Sequence, residues 1–407
     1  MRILFLSSWF PYPPDNGARI RTFNLLRQLA RRHEIALLSF IQDEGVKQSE
    51  LDAVSSFCRV LGTVPQRHFQ PSRPQALFRL LSMRPRSLAE TYSPQMAALV
   101  RDALHQHPFD LIIASEIGPG LDTAPYIIDA DTLPRVIEDL ELSMIWNKIR
   151  AQNTWAGQVR HKLTWLKLRH YAARLLRRVD GCTVASEQER ILLQNIVSDF
   201  EPLAVIPNGL DLARYRDGWG PPAPDTLVFP GALTYQANFD AMFFFLKEVF
   251  PLVRARKPGV TLRITGRTDG VPVHRLPAEG SVVFTGYLED VRPVVAQSWV
   301  CVVPLLTGGG TRLKILEAMA LGTPVVSTSK GAEGLEVTPG HDILIADEPA
   351  EFADAVLRLL SDETLRARLS ANGQKLVRER YGWDQIGEKL DHFLRQVVQG
   401  YERRGIE

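Results

Sequence analysis

Along the whole 407-residue chain, short β-branched runs alternate with stretches that carry the helical period. That alternation restricts the fold to layered α/β arrangements, because parallel strands need a crossover and a helix usually supplies it. The first half offers RILFLS, EIALLSF, LIIAS, YIID, GCTVAS and LAVIP as strands, and the second offers TLVFPG, VTLRITG, SVVFTG, WVCVVP, TPVVST and HDILIA. Helical patterns fall between them, including Arg19–Arg32 with Ile20, Phe23, Leu26 and Ala30 along one face. A chain of this length exceeds one ordinary core. The stretch PNGLDLARYRDGWGPPAPD, dense in Pro and Gly, reads as a linker. The expectation is two Rossmann-like domains with a cleft between them.

Composition narrows the function classes. A hydrophobic content of 45% and a charged content of 23% suit a soluble globular protein. The formal net charge of +2 argues against nucleic acid as a partner held by bulk charge. Cys58, Cys182 and Cys301 lie far apart in sequence, with no CxxC pair, so a cytoplasmic setting is expected. The opening MRILFLSSWF reads as a first strand rather than a signal peptide, since PYPPDNG follows the apolar run. The longest uncharged stretch, Pro293–Thr311, is broken by Pro304 and three glycines and does not read as a membrane span.

The stretch LLTGGGTRLKILEAMALGTPVVS is the most informative. A helix reads from Leu313 to Ala320, preceded by Gly308, Gly309, Gly310 and Thr311, with Arg312 and Lys314 in its first turn. That end of a helix carries partial positive charge and disfavours cations by about 0.3–1 kcal/mol. An anion there would reverse the local field. Glycines let backbone N–H groups approach it, and ligands of open parallel sheets sit where helices begin beyond strand ends. The bland alternative is that both cations reach solvent and the glycines only turn a corner. Glu317 stands three residues after Lys314. A helical Lys314–Glu317 pair and a carboxylate accepting from a ribose diol account for it equally well.

GGGTRLKILEAMALGTPVVST followed by GAEGL resembles the donor region of retaining glycosyltransferases of the GT-B fold, family four, and most of all the bacterial members associated with exopolysaccharide production. VIPNGLDLARY, FPYPPDNGARIRTFNLLRQLA and FPGALTYQANFDA resemble that family too, so the likeness covers nearly the whole chain. It implies an acceptor-side domain over residues 1–207, joined by a helix near 384–407, and a nucleotide-sugar domain over 208–383. It also implies transfer of a sugar from a nucleotide diphosphate donor, UDP- or GDP-linked, to a glycan, lipid-linked or small-molecule acceptor, with retention, no metal and no cofactor beyond the co-substrate. Glu317 matches the ribose-holding carboxylate. The backbone around Leu313 and Lys314 matches the phosphate site, Leu288 lies near the base, and Gly17 and Gly231 fall in matching loops. Two departures stand out. Gly309 occupies the position of a usual glutamate, and the usual Arg/Lys pair is missing from GALTYQANFD. Arg312, Lys314 and Arg267 are candidates to replace that charge. Arg312 and Lys314, with Glu116 on the acceptor side, make the candidate catalytic set.

Three further features bear on function. Asp129–Asp131 (DAD) after YIID has the D-x-D form that can hold a metal on a diphosphate, although the two-domain layout opposes it. Ser115 and Glu116 close the strand LIIAS, where Glu116 either orients an acceptor hydroxyl or caps the next helix. Residues Met144–Val179 contain nine Lys/Arg, no Asp or Glu, and Trp146, Trp155 and Trp165. They read equally as a helix docking on the anionic inner face of a membrane or as a solvated helix whose tryptophans pack inward. A GT-B sugar-nucleotide epimerase and a non-catalytic nucleotide-sugar-binding partner in polysaccharide assembly remain the rival functions.

Overall fold

The computed structural model describes residues 1–42, 45–67, 91–117, 123–142, 154–216, 218–278, 280–308 and 311–404. The chain divides into two compact units. One comprises Met1–Pro207 with Ile386–Glu407, and the other Asn208–Gln385.

The first unit is built on seven strands, β1 (Arg2–Ser7), β2 (Glu34–Ile41), β3 (Arg59–Pro65), β4 (Leu111–Ile117), β5 (Arg135–Leu140), β6 (Gly181–Val184) and β7 (Leu203–Val205). They pair in the order β3-β2-β1-β4-β5-β6-β7, every pair parallel. Parallel strands covered on both faces read as unbroken apolar runs, and Ile3, Leu4, Phe5 and Leu6 are indeed fully buried. Its described helices are α1 (Gly17–Ala30), α2 (Gln48–Ser55), α3 (Pro94–Gln106), α4 (Trp155–Leu176) and α5 (Glu187–Gln194).

The second unit has β8 (Ala223–Pro230), β9 (Thr261–Thr265), β10 (Val282–Gly286), β11 (Ser298–Val303), β12 (Val325–Ser327) and β13 (Leu344–Ile345), in the order β10-β9-β8-β11-β12-β13. Its helices are α6 (Gln236–Phe244), α7 (Phe250–Arg256), α8 (Arg292–Ala296), α9 (Leu313–Ala320), α10 (Pro349–Ser361) and α11 (Glu363–Arg380). A last helix, α12 (Trp383–Arg404), starts in this unit and continues from Ile386 into the first. In the first unit it is held by His33 Nε2 to Asp391 at 2.6 Å, Arg404 to Asp180 at 2.8 Å, and Tyr401 Oη donating to the Asp131 carbonyl at 2.6 Å. No described helix is long and apolar enough to cross a membrane.

Three sequence expectations need correction. YIID is not a strand: a 3-10 turn occupies Ala124–Tyr126, and the next strand is Arg135–Leu140. Pro125 and the packing of Tyr126 explain the turn, since its ring stacks on Tyr92 and its hydroxyl accepts from the Ser93 amide. The D-x-D therefore does not follow a strand. Exposed Asp129 pairs with Arg178 at 3.3 Å, Asp131 is also exposed, and no metal-ligating cluster occurs among the described residues. Helix α1 buries Arg21, Thr22, Leu25, Leu26 and Leu29 rather than the face through Ile20, Phe23 and Ala30. Arg21 reaches inside because Glu138 on β5 waits for it, with Nε to Oε1 at 2.9 Å and both side chains almost wholly buried. Ser115 Oγ donates to the other Glu138 oxygen at 2.6 Å, and Arg21 also lies 3.3 Å from Asp139. Finally, the stretch read as a linker packs on the second unit. Leu210 exchanges backbone bonds with Tyr381 and Trp383 at 2.7 and 3.2 Å.

Candidate functional site

In the second unit, connections from β8 run outward through β9 to β10, and the chain then returns to place β11 on the other side of β8. The strand order therefore reverses between β8 and β11, and ligands of such sheets bind beyond the strand ends at that point. The stretch after β8 contains Gly231, and the loop after β11 leads to α9.

Helix α9 forms because Ile315, Leu316, Ala318, Met319 and Ala320 are buried at helical spacing against the sheet. That registers Lys314 and Glu317 toward neighbours outside the helix. Lys314 does not simply reach solvent. It is half-buried, its ammonium lies 2.8 Å from Asn238 Oδ1 and 4.2 Å from the centre of the Phe229 ring. Desolvation pushes its pKa down to about 7, from an ordinary 10.5. Gly231 leaves the room: a Cβ there would fall 2.7 Å from Lys314 Nζ and 2.9 Å from Asn238 Nδ2. Asn238 is itself fixed by donating to the Ala232 carbonyl at 2.8 Å. Asn238 lies in the stretch FPGALTYQANFDA, where no local pattern assigns it a role. Its place in the first turn of α6, soon after a strand-end glycine, is the one mark it carries in the sequence.

Arg312 behaves differently from its expected solvent-or-anion role. It is 6% exposed, and Nη2 donates to the carbonyls of Gly308 at 3.0 Å and Lys330 at 3.4 Å. Burial lowers its pKa, opposed by Glu333. Carbonyl dipoles thus offset the unfavourable helix end for this residue. Gly308 turns the loop at φ +105°, a conformation suited to glycine. Thr311 accepts from Asn208 at 3.0 Å through Oγ1, while Gly309 and Gly310 lie outside the described residues.

Glu317 is also half-buried, and burial raises its pKa against the Tyr215 bond that lowers it. Tyr215 Oη donates to Glu317 Oε1 at 2.9 Å. Lys314 turns to Asn238 and Glu317 to Tyr215, so the helical ion pair is not what holds either one. Tyr215 comes from the Pro/Gly-rich segment, where a linker reading hides it.

The remaining candidates are more scattered. Exposed Arg267 lies over the Tyr287 ring at 5.1 Å after β9, and half-buried Leu288 follows that tyrosine. In the first unit, exposed Gly17 opens α1, whose cap is Asn16 accepting from the Arg19 amide. Glu116 lies on β4, next to Ser115 of the Arg21–Glu138 network. The structure therefore gathers Gly231, Gly308, Thr311, Arg312, Leu313, Lys314 and Glu317 around one loop and helix end. A half-buried cation of near-neutral pKa, helix amides and a phenol-held carboxylate can together receive a diphosphate and a diol.

Comparison with known proteins identifies the family. Residues 224–362 match the model described as glycosyl transferases group 1, and residues 16–209 match the glycosyl transferase 4-like domain. The GDP-mannose-dependent monoacylated alpha-(1-6)-phosphatidylinositol monomannoside mannosyltransferase of Corynebacterium glutamicum is 22% identical, over 73% of this chain and 88% of that protein. Among solved structures, sucrose-phosphate synthase from Thermosynechococcus elongatus superposes with TM-score 0.67 at 18% identity, over 98% of this chain and 100% of that one. HepE of Anabaena in complex with UDP gives 0.64 at 17%, over 97% and 100%. With one model on each half and parallel-sheet α/β units that match GT-B structures, the chain belongs to the group 1 glycosyltransferases of the GT-B fold, family four.

Proposed function

We propose that this glycosyltransferase takes its sugar from a nucleotide diphosphate donor held in the second unit, passes it to a glycan, lipid-linked or small-molecule acceptor with retention of configuration, and needs no metal. The observation that carries the donor assignment is the Lys314–Asn238–Gly231 arrangement at the strand-order reversal beside the start of α9. Lys314, the α9 amides and Arg312 supply positive potential where the leaving diphosphate gains charge, the electrostatic contribution that usually dominates. Glu317, held by Tyr215, accepts from the ribose diol. In same-face transfer, the acceptor oxygen bonds to the anomeric carbon as the bond to the diphosphate oxygen breaks. The acceptor proton passes to that departing oxygen, so no protein nucleophile is required.

A UDP or GDP donor fits the names of the relatives, one GDP-mannose-dependent and one bound to UDP. The cytoplasmic setting rests on three buried, unpaired thiols, and the exopolysaccharide setting on motif resemblance. The test is a thermal-shift screen against UDP-, GDP-, ADP- and TDP-sugars, followed by product analysis with the stabilising donor. Stabilisation by one base series, lost in Lys314→Met, supports the assignment; equal shifts in both proteins overturn it.

A further inference from the structure

The basic segment of the first unit presents two different faces, and they separate the two readings of its tryptophans. On one face of α4, Leu168, Ala172, Leu175 and Leu176 are buried in the unit's core, with Trp165 and Tyr171 packed against it. On the opposite face stand Trp155, Val159, Leu163 and Leu166, which are 80%, 37%, 55% and 57% exposed. Their spacing places all four on a single stripe across three turns. Exposed Arg160, Lys162 and Arg169 flank it, and no Asp or Glu occurs anywhere on the helix. Scattered exposed apolar residues need no explanation, whereas a contiguous rimmed stripe marks an interaction surface.

We propose that α4 is a membrane-docking helix that lies in the interface of an anionic bilayer, with Trp155, Val159, Leu163 and Leu166 among the acyl chains and Arg160, Lys162 and Arg169 on the phosphates. Charge selects this occupant. An apolar stripe whose charged neighbours on the helix are all basic complements anionic headgroups around an apolar interior. A second copy of the same surface would instead bring like charges together. The docking needs neither donor nor acceptor, so it stands or falls apart from the transferase assignment.

The experiment is flotation of the full chain with vesicles of phosphatidylcholine alone or containing about one third phosphatidylglycerol, at low and high salt. The expected result is binding to the anionic vesicles that weakens with salt. Each of Arg160→Gln, Lys162→Gln and Arg169→Gln should weaken it about fivefold, the equivalent of about 1 kcal/mol per charge. Leu163→Ser/Leu166→Ser should weaken it at least about tenfold at unchanged charge, because exposed apolar area is what inserts. Since all these side chains are exposed, unchanged melting curves show the variants to be folded. Three results overturn the proposal: no vesicle binding by the wild type, anionic binding that ignores the stripe variants, or stripe variants that only abolish self-association in sedimentation, which would give the face to a second copy.

Discussion

Lys314 makes the sharpest prediction, because its protonation state should change when donor binds. In the free protein desolvation holds its pKa at about 7 against an ordinary 10.5. A nucleotide-sugar diphosphate keeps its two charges across this range, so a bound donor pulls Lys314 back toward its ordinary value. Binding must then bring in a proton: about half of one at pH 7 and nearly a whole one at about pH 8.5. Affinity should fall about tenfold per pH unit above 7, until the bound lysine itself deprotonates. Calorimetric titration in buffers of different ionisation enthalpy reads the uptake directly. Lys314→Met keeps the length, removes the titrating group, and should bind weakly with no uptake near pH 8.5. The stability of the free protein depends on pH as well. Its depressed lysine means the unfolded chain binds the extra proton between pH 7 and 10.5, so stability should rise with pH across that window. Below pH 7 the buried charge is carried in full, and Lys314→Met should be the more stable protein there, with about 5 kcal/mol as a ceiling from the pKa gap. Absence of proton uptake by the wild type, or equal uptake by the variant, refutes the placement of the diphosphate against Lys314.

Gly231→Ala puts a methyl against both Lys314 Nζ and Asn238 Nδ2; the lysine can swing away but the anchored asparagine must shift, so melting temperature should fall modestly while donor affinity drops, as calorimetry would show. Glu317→Gln should weaken ribonucleotide donors by about 1.5–3 kcal/mol and their 2′-deoxy analogues much less; equal losses for both would assign Glu317 a structural role. Arg312→Ala should lower the stability of the donor-free protein by about 1–3 kcal/mol, since the carbonyls of Gly308 and Lys330 lose their donor; an unchanged melting curve would restore the view that the helix end merely repels it. Arg21→Met strands Glu138 in the core and should cost about 3–5 kcal/mol, with part recovered on adding Glu138→Gln; denaturant unfolding of the single and double variants measures both effects.

The second unit's strands were all legible, because each is an apolar β-branched run between turn residues. The first unit shows where that signal fails. Arg59–Pro65 contains Gly62 and Pro65, and Arg135–Leu140 carries Glu138 and Asp139, so neither has a strand's surface pattern. Only tertiary partners make the second tenable: Arg21 and Ser115 satisfy Glu138, and Asp139 takes a positive φ of 61°. Tyr126–Asp129 erred the other way, since burial alone does not separate a packed turn from a strand. At the candidate site, the glycines, Lys314 and Glu317 announced themselves by clustering around one helix start. Asn238 and Tyr215 did not, because each acts on a residue far along the chain.

The course of α12 governs the order in which the polypeptide can mature on the ribosome. The second unit is continuous in sequence, so everything it needs has been synthesised once Gln385 is made. The first unit begins emerging earlier yet waits for α12. Ile386, Leu390, Phe393, Leu394 and Val397 are all buried, Val397 against Gly181 and Gly387 against Gln28 so closely that neither glycine has room for a Cβ. Until those residues arrive, the older unit lacks the helix face that packs over Gly181 and Gln28 through the whole synthesis of the younger one. A chain terminated just after Gln385 would therefore leave its damage in the first unit, hundreds of residues upstream of the lesion.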